Sequence, residues 1–241
     1  MNTCRTSANT HDLSLPGIVE TADGSKTLFC PIHQQTYHSI HGALTESRHV
    51  FIEGAELATR LSVSSDLDIL EIGFGTGLNY LLTVQQADKT GVSLHYTALE
   101  RRILPASLLE KLDYGTLLDC TEHSKLLLRH LSSCDLAGGG RTPVFPYKNT
   151  SLQLYKHIDA LFADCSPRFD IVYHDGFSPD CNAELWSCDV IGNLYSQLRQ
   201  GGTLVTYSAK GDVRRAMLRA GFLVTRLPGP PGKREMLVGI K

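Results

Sequence analysis

From Ser65 onward, short apolar runs alternate with segments of helical periodicity. LDILEIG (67–73), VSLHYTALE (92–100), SLQLYK (151–156), FDIVYHD (169–175) and TLVTYSA (203–209) predict strands. Between them LNYLLTVQQA, the region 105–133, a short stretch over 159–163 and NAELWSCDVIGNLYSQL (182–198) predict helices. DVRRAMLRAG adds a helix closed by Gly221. FLVTRL and REMLVGI then read as two strands, and the loop PGPPGK between them is short enough only for an antiparallel pair. Repeated β-α-β units build a parallel sheet covered by helices on both faces. The expectation is an α/β fold with a seven-stranded, mostly parallel sheet and an antiparallel C-terminal hairpin.

Ahead of this domain (65–241) lies a small N-terminal extension. Residues 1–22, rich in Ser, Thr and Asn, read as a flexible leader. Over 23–64 the Asp23-Gly24 turn signal precedes alternating segments around KTLFC and QQTYHS, which predict a hairpin. Helical spacing from Ala43 to Leu61 follows, with a break near Gly54.

Composition narrows the class. The 241 residues are 42% hydrophobic and 20% charged, enough to bury a core and incompatible with a disordered or collagen-like chain. No apolar run approaches the ~18 residues of a membrane span, and no secretory signal pattern opens the chain. Seven scattered cysteines without a CxxC predict reduced thiols in a cytoplasmic protein. The net charge of -2 hides an asymmetry: residues 201–241 hold eight Lys/Arg against two acids, on an otherwise acidic chain. Such a segment suits an anionic partner, or simply solvated helix faces.

The chemistry gathers at strand ends. DILEIGFGTGLN sets Glu71, Gly73, Gly75 and Gly77 at a strand-to-helix junction. A dinucleotide fingerprint needs a small residue where Leu78 stands. The pattern E-x-G-x-G-x-G instead resembles the first motif of S-adenosylmethionine-dependent methyltransferases, where glycines let the backbone approach a ligand closely. Glu100, ending the second strand, suits a carboxylate that accepts from vicinal ribose hydroxyls. Asp159 suits an acceptor for an adenine amino group, or a helix cap. Asp175 ends the fourth strand, where ligands of such sheets bind, followed by Phe177, Ser178 and Pro179. A carboxylate there can take or orient the proton of an amine nucleophile, and an aromatic ring can stack on a base. Trp186 and His174 read as core residues. His38, His41 and His49 with Glu46 and Glu53 fit no standard zinc spacing, so no metal is expected.

YHSIHGALTESRHVFIEG, LEIGFGTGLNYLL, DGFSPDCNAELW, GGTLVTYSAKGDVRRAMLRAGF and GKREML, in this order, resemble the methyltransferase half of the bifunctional MnmC family. That resemblance spans about Asp23 to Leu237. It implies a Rossmann-like class I methyltransferase that moves a methyl from S-adenosylmethionine to the primary amine of 5-aminomethyl-(2-thio)uridine at the tRNA wobble position. It places Glu71, Gly73, Gly75, Gly77 and Asn79 in the cofactor loop and Glu100 at the ribose. Asp175 and Phe177 fall at the catalytic positions. Tyr37, Glu46 and Arg48 border the cleft in this reading, and Lys210, Arg214, Arg215, Lys233 and Arg234 face tRNA phosphates. The family usually carries a Gly-Asp-Ala-like turn where this chain has Ile158-Asp159-Ala160, which weakens the adenine assignment. Nothing matches the family's flavin-dependent half, which implies a stand-alone version served by a separate flavin-dependent enzyme. Methylation of a small-molecule amine, or an inactive tRNA-binding module, remain alternatives at this stage.

Overall fold

The computed structural model describes residues 15–134, 140–163 and 169–241. The expected leader falls largely outside these residues, and it ends sooner than residue 22: β1 (Gly17–Glu20) pairs antiparallel with β2 (Lys26–Cys30). β2 pairs in turn with β3 (Gln35–Thr36), completing the expected hairpin as a three-stranded sheet. Helix α1 (Ala43–Ser47) runs into a π-helical turn over Arg48–Glu53. The chain breaks at Gly54–Glu56, where Glu56 adopts a left-handed backbone (φ 54°), before α2 (Leu57–Val63). Asp23 ties the hairpin to α1, accepting from Thr45 N at 2.9 Å and Thr45 Oγ1 at 2.7 Å.

The main sheet comprises β4 (Asp66–Ile72), β5 (Ser93–Leu99), β6 (Phe145–Tyr147), β7 (Thr150–Tyr155), β8 (Phe169–His174), β9 (Leu198–Thr206), β10 (Leu223–Pro228) and β11 (Glu235–Ile240). Its order is β10-β11-β9-β8-β4-β5-β7-β6. The five central strands are parallel, and β10–β11 is the antiparallel pair the short loop requires. The sheet has eight described strands rather than the expected seven, because β6 adds an antiparallel edge to β7.

Helices α3 (Leu78–Ala87), α7 (Ile158–Ala163), α8 (Cys188–Gln197) and α9 (Gly211–Ala220) follow the expected pattern. Two long helices were over-joined by periodicity. The region 105–133 divides into α4 (Ala106–Leu109), a 3-10 turn (Glu110–Leu112), α5 (Tyr114–Leu117) and α6 (Thr121–Ser133). Asp113 and Asp119, both at positive φ, make the breaks. Over 182–198, a 3-10 turn (Ala183–Trp186) precedes α8, whose first turn is capped by Ser187 Oγ accepting from Val190 N at 3.3 Å.

Alternation along β4 sends Leu67 and Ile69 to one face of the sheet and Leu70 and Ile72 to the other, and each face buries a separate apolar cluster. The first cluster includes Tyr80, Tyr96 and Tyr173. The second packs against α8 and α9 through Ile191, Leu194, Val213 and Met217. At the amino ends of β4 and β8, the Arg199 guanidinium bridges Asp68 (2.7 Å) and Asp170 (2.5 Å). The carboxyl ends of the same strands form the floor of the site.

Candidate active site

The turn after β4 carries three glycines at positive φ: Gly73 (95°), Gly75 (52°) and Gly77 (77°). The first has no room for a side chain. A Cβ at Gly73 would stand 2.6 Å from the Asp175 carbonyl oxygen, so glycine here is what lets the β4 turn lie against the end of β8. Asp175 N donates to Ile72 O at 2.8 Å and locks the two strand ends together.

These ends open into a cavity of about 1630 Å³. Gly73, Gly75, Glu100, Asp159, Asp175 and Phe177 all line it. Tyr37, Glu46, Ser178 and Lys233 line it too. Glu100 Oε2 accepts from Gly75 N and Oε1 from Arg102 N, both at 2.8 Å. Each oxygen therefore keeps acceptor capacity that a vicinal diol can use. Burial raises the Glu100 pKa, against the opposing pull of these two N–H groups. Asp159, in the first turn of α7, is exposed at the cavity edge.

Three residues expected at the cofactor do not line the cavity: Glu71, Gly77 and Asn79. Strand parity is the reason for Glu71. It shares the face of Leu67 and Ile69, is fully buried, and accepts from Tyr96 Oη at 3.0 Å. Burial lifts its pKa to about 8, hydrogen bonds from Asn79 and Tyr96 opposing. Asn79 connects this buried acid to the cavity wall. Its Nδ2 donates to Glu71 Oε1 and to Asp175 Oδ2, each at 2.8 Å. Asp175 Oδ1 has no protein donor among the described residues. Burial raises the Asp175 pKa well above the usual carboxylate value, Glu46 and Glu71 push the same way, and Asn79 and Lys233 oppose them.

Phe177 lies between two other rings, His33 at 4.4 Å and Tyr37 at 4.9 Å between centroids. Its carbonyl accepts from Trp186 Nε1 at 2.9 Å. Trp186 is thus a core residue that steadies the loop. His174 is also core: it is fully buried, its Nε2 donates to Leu185 O at 3.0 Å, and burial lowers its pKa to about 4.

The extension roofs this loop. Gln35 Nε2 donates to Ser178 Oγ at 2.8 Å, and Ser178 N to Gln35 Oε1 at 3.3 Å. His38 Nε2 meets Thr76 Oγ1 at 2.7 Å, and His49 Nε2 donates to Pro228 O at 2.8 Å. The clustered histidines thus serve separate contacts. Sequence reasoning missed His33, Gln35 and Tyr207. Tyr207 just follows β9, and its hydroxyl donates to Gly176 O at 2.8 Å. The rule that ligands sit at carboxyl strand ends was enough to find it.

The predicted basic residues separate. Lys233 turns into the cavity, donating to Glu46 Oε1 at 2.6 Å. A second, shallower trough of about 400 Å³ is lined by Pro179, Tyr207, Lys210, Lys233 and Arg234. Lys210 pairs with Asp180 there. Arg48, Arg214 and Arg215 line neither cavity. Arg48 is exposed on the π-helical turn, and Arg215 pairs with Asp212 on α9.

Comparison with known proteins agrees with this architecture. A family described as S-adenosyl-L-methionine-dependent methyltransferase matches residues 139–241. The tRNA 5-methylaminomethyl-2-thiouridine biosynthesis bifunctional protein MnmC of Aromatoleum aromaticum is 36% identical over 214 residues, 84% of this chain and 32% of that one. The MnmC of Burkholderia thailandensis is 33% identical over 218 residues, 88% of this chain and 33% of that one. The crystal structure of MNMC2 from Aquifex aeolicus superposes with a TM-score of 0.74 at 25% identity, covering 95% of this chain and 72% of that one. Strand order, glycine turn and these matches define the class, that of the S-adenosyl-L-methionine-dependent methyltransferases. Within it, most of the chain is similar to one part of the MnmC proteins and to MNMC2. It spans about a third of the length of the curated MnmC relatives. No described helix is long and apolar enough to cross a membrane.

Proposed function

We propose that this chain methylates the primary amine of 5-aminomethyl-(2-thio)uridine at the tRNA wobble position, using S-adenosylmethionine. The relatives, named for the biosynthesis of 5-methylaminomethyl-2-thiouridine in tRNA, point to the nucleoside, and the cavity supports the chemistry. The turn Gly73–Thr76 lets a ligand approach the backbone closely and Glu100 offers a diol acceptor on the same wall, a surface that fits a nucleoside bearing an amino-acid tail; the Gly73, Phe74 and Gly75 N–H groups are themselves given to Leu99 O and Glu100 Oε2. Bound there, the sulfonium supplies an electrophilic methyl.

The observation that carries the reading is Asp175. The same turn that would hold the cofactor touches its backbone, and Asn79 holds its Oδ2, leaving Oδ1 for an incoming amine. An alkylammonium must lose a proton before its lone pair can attack. Desolvation lowers the pKa of an ammonium and raises that of a carboxyl, so in this cavity the two converge and the proton passes at small cost. Phe177, held in its ring strip, offers a face for the uracil, a contact of ~1–3 kcal/mol. Ring stacking and the Oδ1 hydrogen bond together aim the amine for in-line displacement.

The test is to incubate the protein and cofactor with tRNA bearing 5-aminomethyl-2-thiouridine and to digest the tRNA for nucleoside mass spectrometry. One added methyl on that nucleoside is expected. Methyl transfer to free small amines with none to tRNA would replace this reading with the metabolite one. We further propose that Lys210, Arg214, Arg215 and Arg234 contact tRNA phosphates, which their position on α9 and beside the trough supports. A flavin-dependent activity would then supply the aminomethyl substrate, and the site would operate in the cytoplasm.

A further inference from the structure

Lys233 stands apart from the other basic residues. Its Nζ is 2.6 Å from Glu46 Oε1 and 3.7 Å from the centroid of the Tyr207 ring. Glu46 is only 6% exposed, and its other oxygen accepts from Ser39 N at 2.7 Å. Both residues line the cavity that holds Asp175, and both act electrostatically on its carboxyl. A carboxylate, an aromatic face and a neighbouring acid form the environment that a primary alkylammonium seeks. Lysine carries the same functional group as an aminomethyl side chain.

We infer that Glu46 and Tyr207 form an ammonium-recognising corner beside Asp175, and that Lys233 fills it until the substrate amine displaces it. This rests on the proposed reaction and deepens it: the site takes a nucleoside bearing a primary ammonium and discriminates against neutral or anionic side chains at the same carbon. The displaced side chain has a destination. Lys233 lies in the loop between β10 and β11, follows Gly232 (φ 88°), and already lines the adjoining trough with Lys210 and Arg234. The exchange is one cation for another, so the buried carboxylates are never left uncompensated. A plain tether between α1 and the hairpin loop predicts none of this discrimination.

The two ends of the pair give opposite signs, which makes the inference testable. With tRNA carrying 5-aminomethyl-2-thiouridine, Glu46→Gln should raise KM by about tenfold or more, the worth of one charge-assisted hydrogen bond. Lys233→Met should lower KM, because the competing internal cation is gone. Calorimetric binding of S-adenosylmethionine should be the same in all three proteins, which verifies folding. The nucleoside 5-aminomethyluridine should shift the 15Nζ resonance of Lys233 in the wild type, and 5-hydroxymethyluridine should not. A KM that moves the same way in both variants, or an unchanged KM in Glu46→Gln, overturns the corner while methylation of the tRNA still stands. Displacement of Lys233 by the aminomethyl nucleoside without methyl transfer upholds the corner and sinks the reaction instead.

Discussion

Replacing Glu71 by Gln tests the electrostatics behind the site without touching the cavity wall. Glu71 is fully buried on the face of β4 that carries Leu67 and Ile69, and its pKa rises from 4.5 to about 8. A carboxyl raised in the folded state gives up its proton first in the unfolded one. Its contribution is therefore complete below pH 4.5, is lost as the pH rises toward 8, and levels off above that. The slope in this window approaches about 1.4 kcal/mol per pH unit for one proton. Over the whole interval the loss is bounded by about 5 kcal/mol. Gln imitates the protonated acid: its carbonyl can accept from Asn79 Nδ2, and its amide can donate to Tyr96 Oη. Urea unfolding of both proteins at intervals from pH 5 to pH 8.5 should give similar stabilities at the acid end. The curves should then diverge, with the Gln variant increasingly the more stable. Asp175, whose pKa is raised too and in part by Glu71, tilts both curves, so the difference between them reports Glu71 together with its coupling to Asp175. Parallel curves would refute the claim that this acid is held neutral by burial.

Asp175→Ala should cut turnover at least about a hundredfold while calorimetry still shows cofactor binding; a wild-type rate removes its assigned role. Gly73→Ala forces a Cβ against the Asp175 carbonyl at a backbone φ of 95°, so both the melting temperature and cofactor affinity should fall, by about 1–3 kcal/mol for the strain. Unaltered thermal melting would mean that the two strand ends separate freely. Reversing the charges of Arg214 and Arg215 should weaken tRNA binding and flatten its salt dependence. Equal affinity at two salt concentrations would clear α9 of any part in docking.

The five parallel strands were legible because each is a short apolar run bounded by polar turns, and Glu100 and Asp175 were found by where those runs stop. Edge strand β6 escaped notice. It is three residues long, contains Pro146, and shows too little alternation to register. The breaks at Asp113 and Asp119 were hidden because a left-handed backbone is usually signalled by glycine. Glu71 was readable in principle, since counting by twos from Leu67 puts it in the core rather than at a ligand. The Gln35–Ser178 latch and the Glu46–Lys233 pair join residues 143 and 187 positions apart. No local pattern encodes such partners. They exist only once the sheet has brought the extension and the final hairpin to one rim.

Arg199 sits at the opposite rim, fastening the amino ends of β4 and β8 through Asp68 and Asp170. Each of these strands is thus anchored at its start and employed at its finish, a whole strand length apart. Robustness and chemistry draw on different residues, so lineages can harden or loosen the scaffold at the arginine end without renegotiating the reaction at the other.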